Sequence, residues 1–301
     1  MIDFKQVREY SNLELFAKQM VEGFITGLHK SPYHGFSVEF AEHRLYNPGE
    51  TTRHIDWKVY AKTDRLYSKR YEEETNLRCM ILLDRSSSMY YPVENNGKFL
   101  FSCFAAAALA YLLHKQRDAV GLCTFSEQIE HMTPVKSTSA HLYQIYSQLN
   151  EFLQTPTKQK KTAIAQVIHQ IAQKIHKRSL VILFSDMMDN TAERQEEVFS
   201  ALQHLKHEKH EVILFHVFDK KTELEFDFSE RPYLFIDIET GQQEKIQPNA
   251  VRESYMEQIQ QRYKNIKLRC AQYKIDFVEV DCASNVDKVL LPFLIKRSKL
   301  Y

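Results

Sequence analysis

The sequence predicts an α/β protein: a doubly wound, mostly parallel sheet flanked by helices, with an α+β extension ahead of it. Three observations carry this. First, Leu77–Leu83, Leu180–Ser185 and Glu211–Phe218 are short, almost wholly apolar runs between polar residues. Such runs are strands buried on both faces, as in a parallel sheet. Second, these runs alternate with helical segments, the order that a doubly wound sheet requires. Third, the 301 residues are 44% hydrophobic and 12% aromatic, with only 7 Gly and 8 Pro, so a sizeable core can form without linker-rich segments.

Taken in order, Ser11 is placed to cap a helix from about Asn12 to His29, with Leu13, Phe16, Ala17, Met20, Phe24 and Leu28 on one face. Ser31-Pro32 and His34-Gly35 end it. Phe36–Phe40 alternates as a strand, Asn47–Glu50 is a turn, and His54–Lys62 is a short helical piece around Trp57. Leu66–Tyr71 is a half-exposed strand that runs into Glu72–Glu74, read as a solvated turn. Residues 1–76 are therefore expected to form an extension that packs on the main domain, residues 77–301.

In the main domain, helices are expected at Phe99–Arg117, Ala140–Leu153, Thr162–Lys177 and Arg194–His207. Ala119–Phe125 and Gln128–Pro134 form a hairpin-like pair, the second strand at an edge. Residues 219–249 break the alternation. Glu223–Phe228 and Pro232–Ile238, with a turn at Glu239–Gly241, are expected to form an inserted β-hairpin. A long helix at Ala250–Tyr273, a strand at Asp276–Val280 and a helix at Asn285–Arg297 close the chain.

Composition narrows the function. Lys+Arg number 40 and Asp+Glu 39, a formal charge of +1, which gives no electrostatic case for nucleic acid or an anionic membrane as the main partner. Cys79, Cys103, Cys123, Cys270 and Cys282 are scattered and form no C-x-x-C, as expected of reduced, buried thiols. The N-terminal stretch MIDFKQVREYSNLELF has no signal-peptide core. Phe99–His114, the most apolar helix, falls short of a membrane span. Together these lead us to expect a cytoplasmic protein.

The chemistry concentrates at strand ends. Leu77–Leu83 stops at Asp84, followed by Arg85, Ser86, Ser87, Ser88 and Met89. In open α/β sheets ligands bind outside the carboxyl ends of the strands. The D-x-S-x-S spacing lets one carboxylate and two hydroxyls face a single point, an all-oxygen set suited to Mg²⁺ or Mn²⁺. The same residues serve elsewhere as helix caps. Thr162 opens the helix after a polar loop, and Leu180–Ser185 delivers a second carboxylate, Asp186, to the same edge of the sheet.

This constellation resembles the metal-ion-dependent adhesion site of the von Willebrand factor type A superfamily. By that resemblance Asp84, Ser86 and Ser88 are ligands from the first loop, Thr162 from the second and Asp186 from the third. Many such domains carry Gly where this chain has Met187. The segment His43–Thr75, HRLYNPGETTRHIDWKVYAKTDRLYSKRYEEET, resembles bacterial domain-of-unknown-function family fifty-eight. The resemblances imply a metal-bridged contact with an acidic side chain of another protein, and a MoxR-type AAA+ ATPase as partner.

Other chemistries find less support. There is no G-x-x-x-x-G-K-[ST], G-x-G-x-x-G or G-x-S-x-G, and a D-x-D phosphatase would need Asp where Ser86 stands. The competing reading is a metal-dependent hydrolase using Asp84 and Asp186. His204, His207 and His210 recur every third residue, which drifts round a helix, and are read as a solvated helix end rather than a zinc site. Asp189 is read as a helix cap or loop acid. Arg44, Arg53, Asp56, Trp57, Lys58, Arg65, Lys69 and Arg70 form either a docking surface or a set of ion pairs.

Overall fold

A computed structural model describes residues 13–25, 38–45, 55–73, 77–93, 97–155, 160–188 and 192–298. The chain divides into two units: Met1–Pro32 with Arg78–Tyr301, and Tyr33–Leu77.

The smaller unit is a two-stranded antiparallel sheet, β1 (Val38–Leu45) against β2 (Tyr67–Glu73), with helix α2 (Trp57–Thr63) between them in sequence. Asp56 caps α2, accepting hydrogen bonds from the backbone N–H groups of Lys58 and Val59, and Asp64 ends it in the left-handed conformation. Glu72 and Glu73 are not a solvated turn. They continue β2, paired with Glu39 and Val38. The turn read at Asn47–Glu50 lies outside the described residues.

The larger unit is built on a six-stranded sheet. Its strands are β3 (Arg78–Asp84), β4 (Ala119–Phe125), β5 (Ile129–Met132), β6 (Leu180–Ser185), β7 (Glu211–Phe218) and β10 (Asp276–Asp281). The spatial order is β10-β7-β6-β3-β4-β5, parallel throughout except for β5, which pairs antiparallel with β4 at the edge. This is the expected doubly wound, mostly parallel α/β fold. Helices α1 (Leu13–Ile25), α3 (Gly97–Lys115), α4 (Ser139–Gln154), α5 (Ile164–Lys174), α6 (Ala192–His207), α7 (Pro248–Gln272) and α8 (Val286–Ser298) complete the unit.

The central strands are buried along all but the first residue of β3 and β7, which explains their apolar runs. Met80, Leu82, Val181, Leu183, Val212 and Leu214 meet the apolar stripes of α5 and α6 on one face. On the other side, α3 contacts α1, α4 and α8 as well as β3, β4 and β7. It is therefore apolar all round, as a helix packed on every side must be. Contrary to the sequence-based expectation, its 19 residues are long and apolar enough to cross a membrane by length and composition, but 83% of its most apolar stretch is buried inside the protein.

The inserted segment also departs from expectation. Glu223–Phe228 is not a strand: Lys220–Leu224 forms a π-turn started by Asp219, whose side chain accepts from the Thr222 N–H. Phe226 and Phe228 pack on Phe235 and on each other, and Phe226 also on Tyr255. The hairpin is instead β8 (Tyr233–Ile236) with β9 (Gln243–Ile246). Burial of Phe226 and the packing of Phe228 against it outcompeted the extended pairing that their β-propensity favours.

The chain passes from β3 outward to β4 and β5, then returns to place β6 on the other side of β3. The strand order reverses between β3 and β6, and a crevice at the carboxyl ends of such a pair is where open α/β sheets bind ligands.

Candidate metal centre

Asp84 is the last residue of β3 and is fully buried. Its Oδ1 accepts from the Ser86 N–H at 2.9 Å, which turns the chain back on itself. Its Oδ2 accepts from Ser185 Oγ at 2.8 Å and from Thr162 Oγ1 at 3.4 Å. Ser86 Oγ lies 3.1 Å from Ser88 Oγ, and Ser88 hydrogen-bonds to the Asp186 carboxylate. The structure thus brings all five sequence-nominated residues, Asp84, Ser86, Ser88, Thr162 and Asp186, to one place.

Each loop is held there by bonds outside the cluster. Ser87 N–H donates to Lys160 O at 3.0 Å, and Lys160 N–H returns a bond to Ser87 Oγ at 2.9 Å. Ala163 N–H donates to Ser126 O at 2.9 Å. These bonds fix Thr162 from both sides. The third loop turns at Met187, whose φ of 51° lies in the left-handed region where glycine is usual. Its N–H donates to Ser185 Oγ, its carbonyl accepts from Arg262 Nη2, and its side chain is buried in the core. Those three anchors hold a methionine in a glycine conformation. Asp189 lies outside the described residues.

Electrostatics set the two carboxylates apart. Burial and the neighbouring Asp186 charge push the Asp84 carboxyl from its ordinary 3.8 up to about 7. Burial alone would also raise Asp186, but the Lys98 ammonium beside it holds its carboxyl below the usual range. Lys98 Nζ donates to Asp186 Oδ2 at 2.7 Å and to Glu223 Oε1 at 2.6 Å. Burial works against its charge, yet the two carboxylates raise the Lys98 pKa above its ordinary value. Burial raises Glu223 despite its ammonium partner. His216 Nε2 sits 3.0 Å from the Asp186 carbonyl, and burial lowers this imidazole from 6.5 to about 4, so it is neutral at pH 7.

Sequence reasoning missed Lys98, Ser185 and Glu223. Lys98 had a readable signal, because it is the single charge at the start of a helix that shows no polar face. Such a charge must be buried and paired. Glu223 had none, since only the turn geometry of the insertion brings it to Lys98.

The donor set fits a hard divalent cation. Two carboxylates and three hydroxyls are all oxygen, and the repulsion that raises Asp84 is what a cation between the carboxylates would relieve. Beside the cluster lies a cavity of about 360 Å³, reached by Ser88, Met188 and Glu223 and floored by Phe226, Phe235 and Tyr255.

Two other groups cluster metal-ligating residue types. Asp219, Asp281 and Cys282 present ligand atoms within 4.8 Å of one another. However, Asp219 Oδ2 accepts from Thr222 and Asp281 Oδ1 accepts from the Ala283 N–H, both turn-stabilising bonds. Burial raises the Cys282 thiol, whose Sγ lies 3.9 Å from Asp219 Oδ1 as a weak donor to that carboxylate. The His204, His207 and His210 rings diverge. His204 Nδ1 meets His169 Nδ1 at 3.0 Å and His207 is exposed. His210, expected to be solvated, is buried and accepts from the Ser179 N–H, because it lies at the entry to β7 rather than on the helix.

In the smaller unit, Asp56 is a helix cap and Trp57 is 60% exposed, edge-on to Tyr60. Arg53 and the side chains of Arg44, Lys69 and Arg70 lie outside the described residues.

Among solved structures, the chain is similar to the conserved hypothetical protein BatB of Bacteroides thetaiotaomicron. That match has 15% identity and a TM-score of 0.45, and covers 74% of this chain and 99% of that one. It is also similar to an aerotolerance-related membrane protein of Bacteroides fragilis, at 14% identity and a TM-score of 0.46, covering 75% and 100%. A third is proximal thread matrix protein 1 of the mussel byssus, solved with a zinc-occupied MIDAS motif. There the identity is 20% and the TM-score 0.35, covering 47% and 38%. The expectation of a cytoplasmic protein is corrected here: the Bacteroides fragilis neighbour is described as a membrane protein, and buried thiols with balanced charge do not fix a compartment.

Uncharacterized proteins of Mycobacterium bovis and Mycobacterium tuberculosis are 24% identical over 186 residues, which is 62% of this chain. That stretch spans 58% of the length of these curated relatives. The family described as "Protein of unknown function DUF58" matches residues 42–265. That match runs from β1 into α7 and takes in all five oxygen donors, four of them at or just after the ends of β3 and β6 and Thr162 just ahead of α5, so the chain belongs to the DUF58 family.

Proposed function

We propose that this protein is a metal-dependent protein-interaction module. Asp84, Ser86, Ser88, Thr162 and Asp186 hold Mg²⁺ or Mn²⁺, and the ion leaves a coordination position for an acidic side chain of a partner. The single observation that carries this reading is the convergence of five oxygen-bearing side chains at the β3–β6 reversal, with two carboxylates close enough to repel. Magnesium keeps octahedral oxygen coordination and is commonly held by one or two carboxylates, with the remaining positions open to water or another oxygen. The resembling bacterial family points to a MoxR-type AAA+ ATPase, or a client of one, as the source of that acid.

The hydrolase reading is less well served by the side chains around the cavity. A general base needs a free lone pair within reach of water. Glu223 is held in place by the Lys98 ammonium at Oε1 and the Asp219 N–H at Oε2, 2.7 Å away, so its carboxylate is tied into an ion pair rather than aimed at a water. His216 is buried beneath Asp186 rather than open to the cavity. We assign no catalytic residue.

The test is calorimetric titration of Mg²⁺ and Mn²⁺ into EDTA-treated protein, wild type beside Asp84→Ala, followed by capture of the MoxR-type ATPase with and without EDTA. Saturable binding lost in the variant, with EDTA-sensitive capture, is the expected result. Ion binding unaffected by Asp84→Ala would place the ion elsewhere and end this reading.

A further inference from the structure

Lys98 is a full charge with 0% exposure, in the first turn of an otherwise apolar helix. Both its setting and its position are unfavourable. A buried ammonium loses hydration, and a cation at a helix N-terminus opposes the helix dipole. Two carboxylates offset this, and one of them, Asp186, is also a proposed metal ligand. The other, Glu223, comes from the π-turn that begins the insertion and is itself anchored by the Asp219 N–H.

Lys98 is therefore fixed between the site and the insertion. Any cation held by Asp186 shares that carboxylate with an ammonium that cannot move away into water. In a buried setting, like charges this close interact strongly.

We propose that Lys98, clamped by Glu223, is a built-in competitor for Asp186 that sets how weakly the site holds a divalent ion. Glu223 acts with the opposite sign: it adds negative charge and keeps half of the ammonium's bonding away from Asp186. The ion is then loosely held by this chain alone, and an incoming carboxylate contributes a larger share of its binding, with ion and partner strengthening each other reciprocally. This inference rests on the metal reading above.

The experiment is titration of EDTA-treated protein with Mn²⁺, reading free aqueous Mn²⁺ by electron paramagnetic resonance, for wild type, Lys98→Met, Glu223→Gln and the double variant. Circular dichroism checks that each is folded. Lys98→Met should bind Mn²⁺ about tenfold tighter or more, and Glu223→Gln should bind it more weakly. The double variant, which removes one charge of each sign, should return close to wild type. Should Lys98→Met not fold, the double variant must bind tighter than Glu223→Gln alone. Equal affinities in that comparison, or in wild type and a folded Lys98→Met, would overturn the role of Lys98 while leaving the metal site intact. No Mn²⁺ binding by any of the four would instead remove the metal reading and this inference with it.

Discussion

Asp84 shows how much one residue must satisfy. It ends a strand, sits fully buried and accepts bonds from its own loop, from Thr162 ahead of α5 and from the end of β6. Ser185 does two of these jobs at once, since its hydroxyl donates to Asp84 and accepts from the Met187 N–H at 3.0 Å. Ser185→Ala leaves both groups short of a buried partner and should cost about 1–3 kcal/mol, read as a lower urea midpoint at pH 7. An unchanged midpoint would mean that neither bond contributes. His216 supplies a pH dependence. Burial lowers its folded pKa from 6.5 to about 4, so its contribution is complete above pH 6.5 and lost as pH falls toward 4. Asp84, raised by burial, acts in the opposite sense over much of the same window. The informative quantity is therefore the difference between wild type and His216→Gln, which cannot take up that proton. It should shrink on acidification by on the order of 2–3 kcal/mol. Parallel stability curves for the two proteins would refute the assignment.

At the scale of elements, the start of α3 is the most constrained junction. Gly97 has φ of 32°, and a Cβ there would lie 1.8 Å from the Tyr91 carbonyl oxygen. The Lys98 N–H donates to that same oxygen at 3.1 Å, so the backbone has nowhere to retreat. Gly97→Ala should destabilise by about 2 kcal/mol or more and, through the neighbouring Lys98, disturb the metal centre. Thermal melting checks it, and an unshifted transition would show that the turn yields easily. The insertion depends on its aromatic cluster. Phe226→Ala removes the ring that joins Phe228, Phe235 and Tyr255, at a cost of about 3–5 kcal/mol if the hairpin stays docked. A loosened hairpin would be cut by protease within residues 229–246 sooner than in wild type. Cleavage at an unaltered rate and position would count against that packing.

For the whole molecule, ion binding and folding are linked. A ligand that binds only the folded state, at a hundred times its dissociation constant, adds about 2.7 kcal/mol of stability. Saturating Mn²⁺ should raise the melting temperature of wild type by several degrees and leave Asp84→Ala unmoved. A wild type indifferent to both Mn²⁺ and EDTA would argue against a site in the folded larger unit.

The sequence by itself determined the sheet, because parallel strands buried on both faces read as short apolar runs, and their length and alternation with helices set them apart from the longer apolar run of α3. It also nominated the oxygen donors: Asp84, Ser86, Ser88 and Asp186 follow two of those runs, and Thr162 follows a polar loop ahead of a helix. Only the tertiary structure decided what surrounds them. The insertion's Phe226 and Phe228 read as strand, but packing of Phe226 on Tyr255 and of Phe228 on Phe226 and Phe235 took them out of the hairpin. Glu72 and Glu73 read as solvated turn, but the partner strand drew them into β2. Lys98 and Glu223 are 125 positions apart and meet at 2.6 Å. Long-range pairing of buried charges leaves no local pattern, because the cost of burying each charge is offset by a partner whose position depends on how every intervening element packs.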